Sequence, residues 1–475
     1  MKKENLKFNG SFIFEEERLD EIYCEIVFPK IQNEKVILQA HFNTSDKTPF
    51  IIPFTFALEA KILDLNDNLE SLILSEKVYK ISTVTSYSSP QQGTTVLTAE
   101  PVNLKIKRFF ESSNEEEQIK NYFFWLTQST QLAPRYIVEK HYNGNVSIES
   151  VFSKNFEIQD SLRFNFIDYH FYSKDSERKN VRISESILAA EFNGITEYEI
   201  GENLFPEIDL FLKMVSFSER RRIVCYGYMG FNNGEIIEFY RGDISIPEEN
   251  FQHSINETLV DIAYFDDFIE KSYFIAKQCP FKKYLFDAIS KAAYHGNLTV
   301  ESEYLSYYAA IENLVNGYRD MCNLNYNLDN DSWKQFTKDL KAFIKKHDSF
   351  KDDKEKREVI YEKVQELNRV SFGTAFNSFC SFYQIDLSDL WPLGGSQVKH
   401  SLTKVRNRLI HGGRFEKEEF DALICAKTHL QWTLERCILG VLTWDVEKTK
   451  VRATFLKNFF PYTEWQEKMK LFGSR

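Results

Sequence analysis

The 475-residue chain predicts an α+β protein, a strand-rich N-terminal half followed by an all-α bundle. Up to about residue 250, short runs alternate apolar and polar residues, the period of half-buried strands. From about residue 256 the apolar positions recur at steps of three and four over long stretches, the period of amphipathic helices. Near Ile246 to Gln252 a proline and a polar run separate the two patterns. The length exceeds a usual single core, so the expected division is 1–250, 256–445 and a C-terminal helical appendage, 446–475.

In the first half, FNGSFIF, EIYCEIVF and KVILQAHF open the strand series. YKISTVTSY, TTVLTAEPVNLKIKRFF, NVSIESVF, LRFNFIDYHFY and VRISESILAAEF continue it. Asn-Gly pairs at Asn143, Asn193 and Asn233 predict turns, the last joining IVCYGYMGF and EIIEFY as a hairpin. Two helices, 115–126 and 205–217, are expected to interrupt. Glu15 to Glu17 and Glu115 to Glu117 read as solvated faces or helix starts, and Arg220 to Arg222 as an exposed turn. GYMGFNNG lacks the strand-loop-helix spacing of a phosphate cradle. With no catalytic constellation, this half reads as a recognition or regulatory platform.

The second half predicts helices at 258–277, 281–294, 300–320, 333–347, 353–381, 396–411 and 416–444, a bundle without strands. In the third of these, Leu305, Tyr308, Glu312 and Val315 follow steps of three, four and three. That stripe buries a carboxylate, which then needs a partner. In the helix at 396–411, Val398, Leu402, Val405 and Leu409 form the buried face, with Arg406 on its border. KVRNRLIHGG, Lys404 to Gly413, ends that helix with His411 at its mouth and two glycines free to make a left-handed cap.

These residue types suit chemistry on a phosphodiester. A histidine transfers protons near neutral pH, and an arginine fork matches phosphate oxygens. The negative end of the helix dipole favours the imidazolium of His411, while a nearby arginine disfavours it. Spacing alone is a weak signal, because Arg135 and His141 in RYIVEKH nearly repeat it within a strand-like stretch. From Trp391 to Phe415 no acidic residue occurs, while Lys399, Lys404, Arg406, Arg408 and Arg414 are basic. The patch is either a local RNA surface or a solvated helix face, and His400 either adds to it or lies beside it. The net charge of -11 excludes a protein that coats nucleic acid indiscriminately.

No metal or cofactor is expected. The 7 cysteines are scattered and odd in number, without a CxxC pair, and read as reduced core residues. Cys425 and His429 are four apart on one helix but lack a second ligand pair, and Asp329 and Asp331 lack the glycine and glutamate of a calcium loop. MKKENLKFNG is followed by no apolar segment, and no apolar run reaches membrane-span length, so a cytoplasmic location is expected. The tail predicts two short helices broken at Pro461, with Phe455, Phe459, Phe460 and Trp465 either docking on the bundle or stacking on bases.

RNRLIH resembles the signature of the HEPN superfamily, helical bundles in which arginine, a polar residue and histidine form a metal-independent ribonuclease site. The order of the halves, with FNGSFIF near the start and LFLKMVSFSERRRIVCYG before the boundary, looks like the ApeA type of HEPN protein from bacterial anti-phage defence. The resemblance implies catalysis by Arg406 and His411, with Asn407 orienting histidine or phosphate. It implies that Glu312 pairs with Arg406, and that two copies meet as a homodimer at least. It further implies an RNA substrate, with transfer, messenger and ribosomal RNA fitting equally, and a phage-derived trigger read by the strand-rich half. A non-catalytic RNA- or nucleotide-binding module and a protein-interaction scaffold are the alternatives.

Overall fold

The computed structural model describes residues 5–472 apart from 15–16, 29–35, 44–55, 64–68, 89–92, 111–120, 128, 133–134, 141–145, 153, 160–161, 175–180, 194–199, 232–233, 243, 245–257, 294–297, 395–399 and 414. The chain divides into two compact units, Met1–Glu257 and Thr258–Arg475.

The first unit carries strands β1 (Leu6–Phe14), β2 (Glu17–Val27), β3 (Ile37–Asn43), β4 (Phe56–Leu63), β5 (Leu69–Ser88), β6 (Gly93–Pro101), β7 (Asn103–Phe109) and β8 (Asn121–Leu126). There follow β9 (Arg135–Lys140), β10 (Val146–Phe152), β11 (Lys154–Gln159), β12 (Leu162–Lys174), β13 (Val181–Asn193), β14 (Cys225–Phe231) and β15 (Glu235–Arg241). Among the described residues β9 and β10 form a separate pair, and the other 13 strands form one sheet. The order β5-β4-β1-β2-β3-β6 returns on itself, because the 20-residue β5 pairs with β4 and β7 along its first part and with β6 from Val78 to Ser88. Closing the ring removes exposed edges from these six strands. Phe8, Phe12, Cys24, Ile26, Leu38, Ala40, Ile73, Leu97 and Ala99 make its apolar core.

The sheet continues through β7, β15, β14, β8, β13, β12 and β11, and helix α1 (Phe205–Glu219) lies against this part. Phe211 of α1 stacks on Phe166 at 5.7 Å, and Phe205 meets Phe124 edge-on at 5.7 Å. At the end of α1 the buried Glu219 accepts the Ser129 hydroxyl and the backbone N–H groups of Thr130 (3.1 Å) and Gln131 (2.9 Å). Burial pushes its carboxyl pKa up, and these donors oppose the shift.

Several expectations are corrected here. Residues 121–126 form β8 and not the end of a helix, since pairing with both β13 and β14 makes this a central strand. Tyr122, Phe123, Phe124 and Leu126 are all buried, so the two-residue alternation that marks a half-exposed strand is missing. Strands β4 and β11 were not expected, and TTVLTAEPVNLKIKRFF is two strands, β6 and β7, parted at Val102. Arg220 takes a left-handed φ of 51° in the turn after α1, and all three arginines are half-buried rather than exposed. Glu15, Glu16, Glu115 to Glu117, His141, Asn143 and Asn233 lie outside the described residues.

The second unit comprises α2 (Phe265–Gln278), α3 (Lys282–Ala293), α4 (Val300–Cys322), α5 (Asn330–Lys346), α6 (Lys354–Val364), α7 (Phe372–Phe382), α8 (Leu402–Ile410) and α9 (Phe420–Val441). The tail adds α10 (Ala453–Leu456) and α11 (Phe460–Leu471) and clusters with the bundle. The expected helix over 353–381 is two helices. The Asn368 side chain holds the backbone N–H (2.8 Å) and carbonyl (3.2 Å) of Leu328, and Ser371 then caps α7. Pro461 sits in the first turn of α11, where its missing N–H has no partner to lose. Among the described residues no helix is long and apolar enough to cross a membrane.

Candidate functional site

Helix α8 begins at Leu402, later than the expected 396, and Val398 and Lys399 lie outside the described residues. Its first turn is satisfied by another strip of chain. The N–H of Leu402 donates to the carbonyl of Pro392 (3.0 Å), that of Thr403 to the carbonyl of Leu393 (2.8 Å), and the Thr403 hydroxyl also reaches Leu393 (2.6 Å). From the other side the buried Tyr304 donates to the carbonyl of Leu402 (2.7 Å), and the hydroxyls of Tyr308 and Thr403 are 2.8 Å apart. Leu402 and Val405 are buried and Leu409 half-buried, in keeping with the predicted face.

This anchoring places Arg406 over α4. Its Nη2 donates to both oxygens of Glu312, at 3.3 and 3.4 Å, its Nη1 donates to Oδ1 of Asn407 at 3.1 Å, and its guanidinium lies 5.3 Å from the Tyr308 ring centroid. The expected pair therefore forms, but Glu312 is not buried: its side chain is 32% exposed and that of Arg406 30%. The stripe ends in an edge at this position, with Tyr308 and Val315 buried and Leu305 half-buried. Asn407 is exposed and uses its amide oxygen on Arg406.

His411 directly follows α8, exposed, with its N–H on the carbonyl of Asn407 (3.0 Å). Gly412, at φ +72°, turns the chain left-handed, and the N–H of Gly413 closes on Arg408 (2.8 Å). At Gly413 a Cβ would stand 2.9 Å from the Arg408 carbonyl oxygen, so the tight return requires glycine. The His411 ring makes no hydrogen bond or ion pair among the described residues and is open to a ligand.

The other basic residues differ in availability. Arg408 makes a two-pronged pair with Glu419, both contacts at 2.8 Å, and covers the Phe415 ring at 4.3 Å. It therefore holds the loop after the motif instead of presenting a free fork to RNA. Lys404 is exposed, Arg414 lies outside the described residues, and half-buried His400 offers its backbone carbonyl to the Trp391 indole (2.8 Å).

His429 is a core residue. Its Nδ1 accepts from the N–H of Trp391 (3.0 Å), so the proton is on Nε2, which donates to the carbonyl of Pro461 (2.9 Å). Burial lowers its pKa to about 4. Cys425 is buried beside it in sequence, with its thiol pushed up to about 11 by burial. Among the described residues no group of three or more His, Cys, Asp or Glu is disposed to hold a metal. Asp329 caps α5, accepting from the N–H groups of Asp331 and Ser332 at 3.0 Å.

The residues that position the motif and escaped the sequence reading are Tyr304, Thr403 and Trp391, together with the hydroxyl of Tyr308. A signal existed for two of them, since Tyr304, Tyr308 and Glu312 are successive four-residue steps on one helical face. No family model, no curated protein and no solved structure matches this chain.

Proposed function

We propose that the chain is a cytoplasmic, metal-independent endoribonuclease of bacterial anti-phage defence, of the HEPN class its motif resembles. The single observation that carries this reading is the arrangement at one helix end, a half-exposed Arg406 held by Glu312 and an unengaged His411 after it. In the proposed reaction His411 accepts the proton of a ribose 2′-hydroxyl. The 2′-oxygen forms a bond to phosphorus, and the bond from phosphorus to the 5′-oxygen breaks. Arg406 offsets the charge that builds on the non-bridging oxygens, and the 5′-oxygen takes a proton as it leaves. The products are a 2′,3′-cyclic phosphate and a 5′-hydroxyl.

One imidazole cannot act as base and acid in the same step, so the second proton comes from the same histidine of another copy in a homodimer. The strand-rich unit holds this activity at a low but measurable basal level, and a phage-derived trigger raises it. RNA is the partner, with single-stranded loops the accessible substrate.

The test is incubation of purified wild-type, Arg406→Ala and His411→Ala protein with total bacterial RNA in EDTA, followed by end-group analysis. Cleavage by wild type alone, with cyclic phosphate ends, is the expected result. Equal cleavage by all three proteins removes the motif as the site. RNA binding that survives His411→Ala without product in either form identifies a binding module instead.

A further inference from the structure

The motif helix is flanked by two aromatic contacts that the proposed chemistry does not use, and both lead to the end of α11. Upstream, the Trp391 indole donates to the carbonyl of His400, two residues before α8 begins. Trp391 is 1% exposed, stacks on Trp465 at 6.2 Å, and packs on Phe472 at 5.8 Å. Downstream, Phe415 lies under the guanidinium of Arg408 and meets the same Phe472 edge-on at 5.5 Å. Phe472 thus touches one residue bonded to the chain before the motif and one packed on the chain after it.

We propose that α11 is a positioning brace for the motif helix, with Phe472 as the residue that couples its two flanks. This deepens the ribonuclease reading and rests on it. The far end of α11 is fixed independently. His429 donates to the carbonyl of Pro461 at 2.9 Å, and the Tyr462 hydroxyl donates to Asp389 at 3.0 Å. Asp389 is itself paired with the buried Arg436, at 2.9 Å from its Nη2. Lys468 reaches Asp421, in the first turn of α9, at 3.3 Å. With α11 pinned along its length, Phe472 becomes a fixed point against which Trp391 and Phe415 rest.

The consequence is local. Trp391 sets the carbonyl at position 400 and the strip whose Pro392 and Leu393 carbonyls receive the first N–H groups of α8. Phe415 sets the guanidinium of Arg408, whose backbone carbonyl receives Gly413 in the turn that places His411. Removing the Phe472 ring leaves the bundle core of α4 and α9 intact and releases the turn around His411. A displacement near one ångström at a reacting group lowers turnover by about a hundredfold.

The test uses the full chain, selectively labelled at its 9 histidines, with the His411 ring signal assigned by its loss in His411→Gln. Phe472→Ala, Phe472→Leu and Phe472→Tyr are compared with Phe459→Ala, a control at a residue 43% exposed. Phe472→Ala and Phe472→Leu are expected to shift the His411 signal. They should lower kcat for single-stranded RNA by about tenfold to a hundredfold with KM changed less than about twofold. Phe472→Tyr restores both, and Phe459→Ala changes neither. An unmoved His411 signal in Phe472→Leu, with kcat as in wild type, overturns the brace and leaves the ribonuclease reading standing. A shifted signal in a protein whose wild type cuts no RNA keeps the brace and overturns the ribonuclease.

Discussion

Arg406 and Glu312 meet across 94 residues of sequence, with Nη2 within 3.4 Å of both carboxylate oxygens, although each side chain keeps about a third of its surface in water. Solvent screens a pair this exposed, so it contributes under about 1 kcal/mol to stability. In the proposed reaction its role is orientation. Glu312→Gln should shift the urea midpoint little and lower kcat/KM for RNA by about tenfold or more, because the amide no longer aligns the guanidinium. Unchanged kinetics in Glu312→Gln would show that the carboxylate has no part in the reaction.

Tyr308 supports the same arginine by two means that can be separated. Tyr308→Phe removes the hydroxyl that meets Thr403 but keeps a ring beneath Arg406. It should cost about 1 kcal/mol in unfolding free energy and leave cleavage within about threefold of wild type. Tyr308→Leu removes both contacts and should reduce cleavage further, at a larger loss of stability because the buried ring also packs on Phe372. If the two variants cleave equally, the ring has no influence on Arg406.

Salt dependence distinguishes the basic residues. Arg408 is already engaged by Glu419, so Arg408→Ala should destabilise the loop after the motif and leave the slope of log affinity against log salt unchanged. Lys404→Ala, at an exposed position, should lower that slope by about 0.7 for single-stranded RNA, one phosphate contact fewer. Binding isotherms at several salt concentrations with His411→Ala protein, which the proposed mechanism makes silent, measure both.

His429 predicts a pH window. It is buried neutral, with a folded pKa of about 4 against an ordinary value of 6.5. The unfolded chain therefore takes up a proton that the folded chain refuses between these values. Its contribution is complete above about pH 6.5 and falls as pH drops toward 4, by roughly 3 kcal/mol in total. His429→Gln should flatten that part of the stability profile in denaturant titrations across pH 4 to 7, whatever its effect at pH 7. An unaltered slope would assign the acid sensitivity to other groups.

The amino-acid sequence by itself determined the change from strands to helices near residue 250, the hairpin of β14 and β15, and the helix that ends in Arg406, His411 and the glycine cap. These are written in short-range periodicity, in turn residues and in the left-handed freedom of Gly412, all of which act within a few positions. The Glu312 and Arg406 pair was anticipated through the resemblance of the motif to a known family, and its half-exposed setting was not. Only the tertiary structure decided that 121–126 is a central strand, that β5 closes a ring with β6, and that Arg408 serves Glu419. It also decided that Phe459 and Phe460 stay exposed while Trp465 and Phe472 dock. The physical reason is shared by these cases. A residue buried on both sides loses its periodic signature, and a charge or ring takes the partner that distant chain brings to it, which local pattern does not encode.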